Sequence, residues 1–309
     1  MRMEERREAL LIIEKLQSAS NLTDNEQAIG EYIFSLGREI EGVSTRVLAQ
    51  AVYTSPAAVI RFCKKLGFEG FDELKTQFIR EIEYLDNQYD RIDSNFPFQP
   101  DDSLLKTARK IGTLYQETAE DTLALLDHAT LKKACFLMRT HETIHIFSYG
   151  TALNTAESFR EKMLKIGKSV IITNNLNYQL YQARSLNTDA LPILISYSGE
   201  TEKILLIAKS LQERWIPFIA LTSLGGNSLA SMATCTLTIS TKESLFENLG
   251  DFSTHISIAM LLDILYSVYF LEDYQGNYTR KLEMTRSLES RRHSENSILS
   301  GENNQSKQS

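Results

Sequence analysis

From residue 143 onward the chain repeats one pattern that few folds can satisfy. Five short runs, "TIHIFS", "SVIIT", "LPILIS", "PFIALTS" and "TCTLTIS", are rich in Ile, Leu, Val and Thr. Helical patterns at 152–166, 177–186 and 201–213, and a shorter one at 227–232, separate most of them. Strands that alternate with helices pair in parallel, because each helix carries the chain back to the end where the last strand began. The expected body is therefore an α/β domain, a five-stranded parallel sheet flanked by helices. A long helical stretch, 252–272, follows it.

The first 90 residues carry a different, all-helical pattern. "LTDNEQAIGEYIF" places Glu26 three residues after Thr23, a capping-box signature, and apolar residues then recur at Ala28, Ile29, Tyr32, Ile33 and Leu36. "STRVLAQAV", "SPAAVIRFCKKLG" and "FDELKTQFIREIEYL" read as further helices. Residues 90–103, "DRIDSNFPFQPDDS", hold two of the five prolines and four acids, which marks a linker. Helical pattern resumes over 104–140, and the polar tail from about 290 has the composition of a disordered segment. The expected boundaries are a helical head over 1–88, a linker over 89–103, a body with leading helices over 104–285, and a tail over 286–309.

Length agrees, since 309 residues suit two domains and 42% hydrophobic residues can fill two cores. A net charge of −7 argues against a chain coated in nucleic acid, yet leaves room for one local DNA-reading surface. Cys63, Cys135 and Cys235 form no CxxC pair, and the five histidines lack metal-ligand spacing, so neither a metal site nor a cofactor is expected. "MRMEERREALLIIEKL" is charged and helical, with an apolar run too short for a secretion signal. "ISIAMLLDILYSVYFL", interrupted by Asp263, falls short of the roughly 18 apolar residues of a membrane span. A cytoplasmic protein without membrane contact is the expectation.

Within the head, residues 44–66 read as helix, short turn, helix. Ser55 can cap the second helix, and Pro56 fits its first position, where a missing N–H costs nothing. Val59, Phe62, Cys63 and Leu66 fall at i, i+3, i+4 and i+7 and face inward. Ala57, Ala58, Arg61, Lys64 and Lys65 remain outside. Small residues at the start of a helix let it approach base edges, and the three cations suit guanine or phosphate. A solvated basic face is the competing reading of the same residues.

In the body, "SYSGET" lies where a strand ends and a helix begins. Three readings stay open on spacing: a phosphate cradle, a Ser-capped helix without ligand, and a nucleophilic serine. Ser196, Ser198 and Thr201 bring hydroxyls, and Gly199 allows close backbone approach. A nucleophile needs a base, and no G-x-S-x-G elbow is present.

Two stretches carry a resemblance. "LTDNEQAIGEYIF" and "VLAQAVYTSPAAVIRFCKKLGFEGFDELK" resemble the helix-turn-helix domain of RpiR/MurR-type bacterial regulators, with an Arg61-Phe62 pair and "KKLGFEGFDELK" over 64–75. Ala58 departs from a common threonine. "IHIFSYGTALNTAESFREKMLKIG", "ISYSGETEKI" and "FSTHISIAMLLDILYSVYF" are similar to the sugar isomerase (SIS) domain, a phosphosugar-binding fold. The S-x-S-G-x-T motif is matched by Ser196, Ser198, Gly199 and Thr201. The first loop departs from the family's G-x-G-x-S, with Ser148, Gly150 and Ala152 in those places, so Ser148 or Thr151 is the candidate replacement donor.

The resemblance implies a transcription regulator, not an enzyme, that binds double-stranded operator DNA as a homodimer or homotetramer and answers to a phosphorylated sugar. Its expected DNA contacts are Arg46, Ser55, Ala57, Ala58, Arg61, Lys64 and Lys65. Its expected sugar contacts are Ser148, Gly150, Thr151, Ser196, Ser198, Gly199, Glu200 and Thr201. Phe62, Leu66, Phe68 and Phe71 are assigned to the head's core. The alternative is a sugar-phosphate isomerase, for which Glu200, His145 and His255 are the candidate bases.

Overall fold

The computed structural model describes Ile12, residues 22–86 and residues 91–288. The charged N-terminal stretch other than Ile12, and the polar tail, lie outside the described residues. The head comprises α1 (Asp24–Leu36), a 3-10 turn (Gly37–Gly42), α2 (Thr45–Ala51), α3 (Pro56–Lys65) and α4 (Phe71–Asp86). The capping box forms: Thr23 Oγ1 accepts from Glu26 N, and Glu26 Oε2 accepts from Thr23 N at 2.9 Å. Ser55 caps α3 through Ala58 N, with Pro56 at the first position. Val59, Phe62 and Cys63 are fully buried against Ile29, Ile33, Ile40 and Leu48, with Phe71, Leu74 and Phe78 below. Leu66 and Phe68 pack on this cluster from its partly exposed margin.

The body opens with α5 (Leu104–Ala124) and α6 (His128–Thr140). The helical stretch 104–140 breaks at 125–127, because Asp127 adopts extended backbone and caps α6 through Thr130 N. Then follow β1 (Thr143–Ser148), α7 (Thr151–Lys165), β2 (Ser169–Ile172), α8 (Leu176–Ser185), β3 (Ala190–Ile195), α9 (Glu202–Glu213), β4 (Ile219–Ser223), α10 (Ser228–Met232), β5 (Cys235–Ile239), α11 (Phe252–Leu271) and α12 (Tyr274–Leu288). The last of these was not singled out in the sequence. All strand pairs are parallel, in the order β2-β1-β3-β4-β5.

Alternate residues of the strands enter two cores. Ile144, Ile146, Ile193, Leu221 and Leu237 pack with α6, α7 and α11. Phe147, Leu194 and Ala220 pack with α8, α9 and Leu229 of α10. Burial on both faces explains why these strands read as unbroken apolar runs. α7 links β1 to β2, while α9 links β3 to β4, so the chain order diverges between the adjacent strands β1 and β3.

α11 corrects one expectation. Counted from Phe252 it has 20 residues and is long and apolar enough to cross a membrane by length and composition. One face is nonetheless built into the body: Ile258, Leu261, Leu262 and Leu265 enter the core. Ser253 and Ser257 on that face bond Thr118 and Thr122 of α5 at 3.0 and 2.8 Å. Its outer face and α5 border an open, mostly apolar groove of about 500 Å³, lined by Tyr115, Ala119, Ile256, Met260 and Ile264.

Residues 91–103 form neither helix nor strand, yet they are tied to the body. Ile92 N bonds Glu117 at 3.0 Å, Arg91 lies 3.8 Å from Glu120, and Asn95 reaches the segment after β5.

Candidate functional site

Helix starts separate the places where this chain satisfies itself from those where it does not. Thr23, Ser44, Ser55, Ser103, Asp127, Asn175 and Asn227 each accept a bond from the first turn of the helix they precede. α11 takes Glu243 instead, whose carboxylate accepts from Ser253 N and Thr254 N at 2.7 and 2.8 Å. α7, which starts at Gly150, and α9, which starts at Thr201, have no side-chain cap. At α7 the Leu153 N–H turns back to Gly150 O at 3.2 Å, and no side chain covers the other first-turn N–H groups or the positive dipole ends of the two helices. Both belong to the strands between which the chain order diverges, where open parallel sheets bind ligands. An anion suits such a pair of ends.

The 196–201 loop between them is held by its own polar groups. Ser196 Oγ and Thr201 Oγ1 bond each other at 2.8 Å, and Ser198 Oγ accepts from Glu200 N at 3.1 Å, which leaves the Ser198 proton to donate. Gly199 has φ 67°, and a Cβ there would lie 2.1 Å from Asn227 Oδ1. Asn227 cannot yield, since it caps α10 at Ala230 N and donates to Ser223 O at 3.1 Å. The loop thus requires glycine for both its backbone angle and its space.

The expected sugar contacts divide under this geometry. Gly150 and Thr151 are exposed at the start of α7. Ser148 is buried and donates to Ile195 O at 2.9 Å, so its proton ties β1 to β3. Thr151 is left as the exposed hydroxyl of that loop. The Glu200 carboxylate accepts from Ser228 N at 2.7 Å and holds the start of α10.

Four residues escaped the sequence reading. Tyr197 bonds the Glu243 backbone through its phenol, and burial pushes that phenol's pKa up to about 12, so it stays protonated. Glu243 and Asn227 have the capping roles described. Gln179 on α8 donates to Ser148 O and Thr173 O at 3.1 and 2.6 Å and clamps the ends of β1 and β2 together. Tyr197 and Glu243 meet across 46 residues and Gln179 reaches Ser148 across 31, so no local motif announces them, whereas the local signal for Asn227 is its place as a helix N-cap.

The two histidine candidates for a base sit in different surroundings. His145 is buried midway along β1, with Nδ1 3.2 Å from Gln182 Nε2, and burial lowers its pKa. His255 is exposed, with Nδ1 3.3 Å from Thr155 Oγ1. Neither of these contacts is with a serine of the 196–201 loop, as a nucleophile would require.

On the head, Ala57, Arg61 and Lys64 of α3 and Arg46 of α2 are exposed, while Ala58 is half-buried. The Ser55 oxygen is occupied as the cap. Lys65 differs from Lys64, because its ammonium lies 2.6 Å from Glu26 Oε2 and that contact lowers the Glu26 pKa.

Comparison with known proteins agrees with both halves. Residues 10–84 match the model of the rpiR-family helix-turn-helix domain, and residues 137–268 match that of the SIS domain. The fold is similar to the Vibrio vulnificus NanR protein complexed with ManNAc-6P, at 19% identity and a TM-score of 0.56, over 91% of this chain and 100% of that one. It is similar to the sugar isomerase domain of an RpiR transcription factor from Sphaerobacter thermophilus, at 15% identity and a TM-score of 0.50, over 58% of this chain and 98% of that one. It is also similar to a candidate sugar-phosphate isomerase from Listeria monocytogenes, at 14% identity and a TM-score of 0.50, over 61% and 99%. At these identities the likeness concerns the fold.

Proposed function

The chain belongs to the rpiR family, a helix-turn-helix head joined to a SIS domain, and on that premise we propose that a phosphorylated sugar bound between α7 and α9 sets its affinity for operator DNA. The observation that carries the reading is the pair of uncapped helix starts where the strand order diverges. Open N–H groups and two positive dipole ends favour a phosphate, and neutral hydroxyls gain far less from them. Ser198, Gly199 and Thr201 hold the phosphate with the first turn of α9, while Gly150 and Thr151 face it from α7. The Vibrio NanR binds ManNAc-6P, a ligand of the same chemical class.

DNA is read by α3, with Arg61 on bases and Lys64 on phosphate, while Arg46 of α2 reaches the backbone. The protein works as a homo-oligomer, since helix-turn-helix heads read paired half-sites roughly 34 Å apart. The groove between α5 and α11 is the apolar surface open to a second copy. An isomerase would need a base beside the sugar's first carbons. Glu200 caps α10 and His145 is buried within the sheet, which leaves the exposed His255 beside Thr155 of α7 as the base for that reading, and the rpiR-type head favours the regulator.

The test is a DNA duplex selected by the protein from a random pool, with its affinity measured with and without sugar phosphates. A change in affinity with at least one of them is expected. Absence of any selected sequence, or steady interconversion of sugar phosphates by the pure protein, would overturn the reading.

A further inference from the structure

The residue between the two loop serines faces two ways. The Tyr197 carbonyl accepts from Ser223 N at 3.0 Å and Thr222 Oγ1 at 3.4 Å, which fixes the 196–201 loop to the end of β4. Its phenol leaves that loop. It donates to Glu243 O at 2.8 Å and accepts from Glu243 N at 3.1 Å. Glu243 is buried and holds the first turn of α11 through its carboxylate.

The residues around Glu243 grip the segment that leads to the head. Lys242 O accepts from Asn95 Nδ2 at 3.5 Å, and Ser244 N donates to Asn95 Oδ1 at 2.6 Å. Leu249 N donates to Asn95 O at 2.9 Å. Phe98 packs edge-on against Phe252, the first residue of α11, with ring centroids 6.4 Å apart. Hydrogen bonds at both ends, joined by the backbone of residues 242–244, therefore link the 196–201 loop to the segment between the domains.

We propose that Tyr197 is a positioning residue that passes sugar occupancy of the 196–201 loop to residues 91–103, by way of Glu243 and Asn95. The proposal rests on the regulator reading above. A phosphate drawn onto Ser198 and the first turn of α9 displaces the backbone on either side of Tyr197. The phenol then either carries the 242–249 segment with it or breaks its bonds to Glu243. In both cases the grip on Asn95 changes. Coupling requires an element with two arrangements that both sites bias, and the docked or released segment 91–103 is that element.

The test compares the wild type with Tyr197→Phe and Asn95→Ala, all as the full chain. The probes are a duplex selected by the wild type from a random pool and, one at a time, ManNAc-6P, glucose 6-phosphate, glucosamine 6-phosphate and fructose 6-phosphate. The wild type is expected to change its DNA affinity roughly 5- to 150-fold with the active sugar phosphate. Both variants should bind that sugar and the duplex but lose the change, so the ratio of DNA affinities approaches one. Amide exchange over residues 91–103 should respond to the sugar in the wild type and not in Tyr197→Phe, a readout that a merely structural tyrosine would not move. A ratio kept at its wild-type value in both variants overturns the proposal, as does a collapse of sugar binding in Tyr197→Phe. A wild type indifferent to every sugar phosphate overturns the regulator reading itself, and the proposal with it.

Discussion

Tyr53 and Gly199 both adopt left-handed backbone, with φ 53° and 67°, and the physics of the two positions runs in opposite directions. Tyr53 lies in the turn between α2 and α3 and is 99% exposed, so its ring returns no burial energy for the strain. A bulky residue in that region costs on the order of 1–2 kcal/mol. Tyr53→Gly is expected to stabilise the head by up to about 1 kcal/mol, because glycine's greater unfolded-state entropy offsets part of the relief. A rise in Tm checks it. At Gly199 an added Cβ meets the Asn227 side chain, which is itself tied at both ends. Gly199→Ala should cost about 1 kcal/mol or more through strain and the disturbed α10 cap. It should lower both Tm and sugar-phosphate affinity, read by thermal unfolding and by titration. The sequence marks Gly199 as a point of close approach. It cannot say that the approaching group belongs to Asn227, 28 residues further on, because only the fold brings α10 there.

At the scale of elements, α3 was legible almost in full. Ser55, Pro56 and the apolar spacing of Val59, Phe62 and Cys63 fix its start and its buried face with local chemistry alone. What the spacing hides is that Lys65 makes an ion pair, with its ammonium 2.6 Å from Glu26 Oε2. Lys65 is neutralised by Glu26 of α1, a residue that the capping box had already accounted for locally. Arg61→Ala is therefore expected to weaken DNA binding by about 1–3 kcal/mol. Lys64→Ala should lower affinity for all sequences and reduce the salt slope by about one. Lys65→Ala should change the slope less than Lys64→Ala. Salt-dependent binding isotherms for the three variants give the comparison, and equal slopes for the two lysine variants would contradict it. α9 is equally readable, since Ile204, Ile207, Ala208 and Leu211 give a complete buried stripe. The segment 91–103 is the counterexample. Its prolines and acids mark an irregular stretch, but the partners of the Asn95 side chain in the body lie 147 and 149 residues away, so composition alone does not show that the segment is docked.

For the whole molecule, the parallel sheet and the all-helical head follow from periodicity, while the proposed ligand site follows from topology. The alternation of strands and helices dictates parallel pairing, but it leaves the strand order open. The observed order, β2-β1-β3-β4-β5, makes β1 and β3 neighbours and so brings the strand ends that lead into α7 and α9 together at the point of divergence. The same order explains why Ser148 turned out to be a tie between β1 and β3 and not an exposed donor. These two helix starts are proposed to hold a phosphate. Titration calorimetry of the full chain with its best-binding sugar phosphate and with the same sugar lacking the phosphate tests it most directly. A hydrogen bond to a charged group contributes about 1.5–3 kcal/mol. The phosphate is therefore expected to bind at least ten- to a hundredfold more tightly than the free sugar. Equal affinity for the two would exclude a phosphate at these helix starts and leave the 196–201 loop as the start of a helix and nothing more.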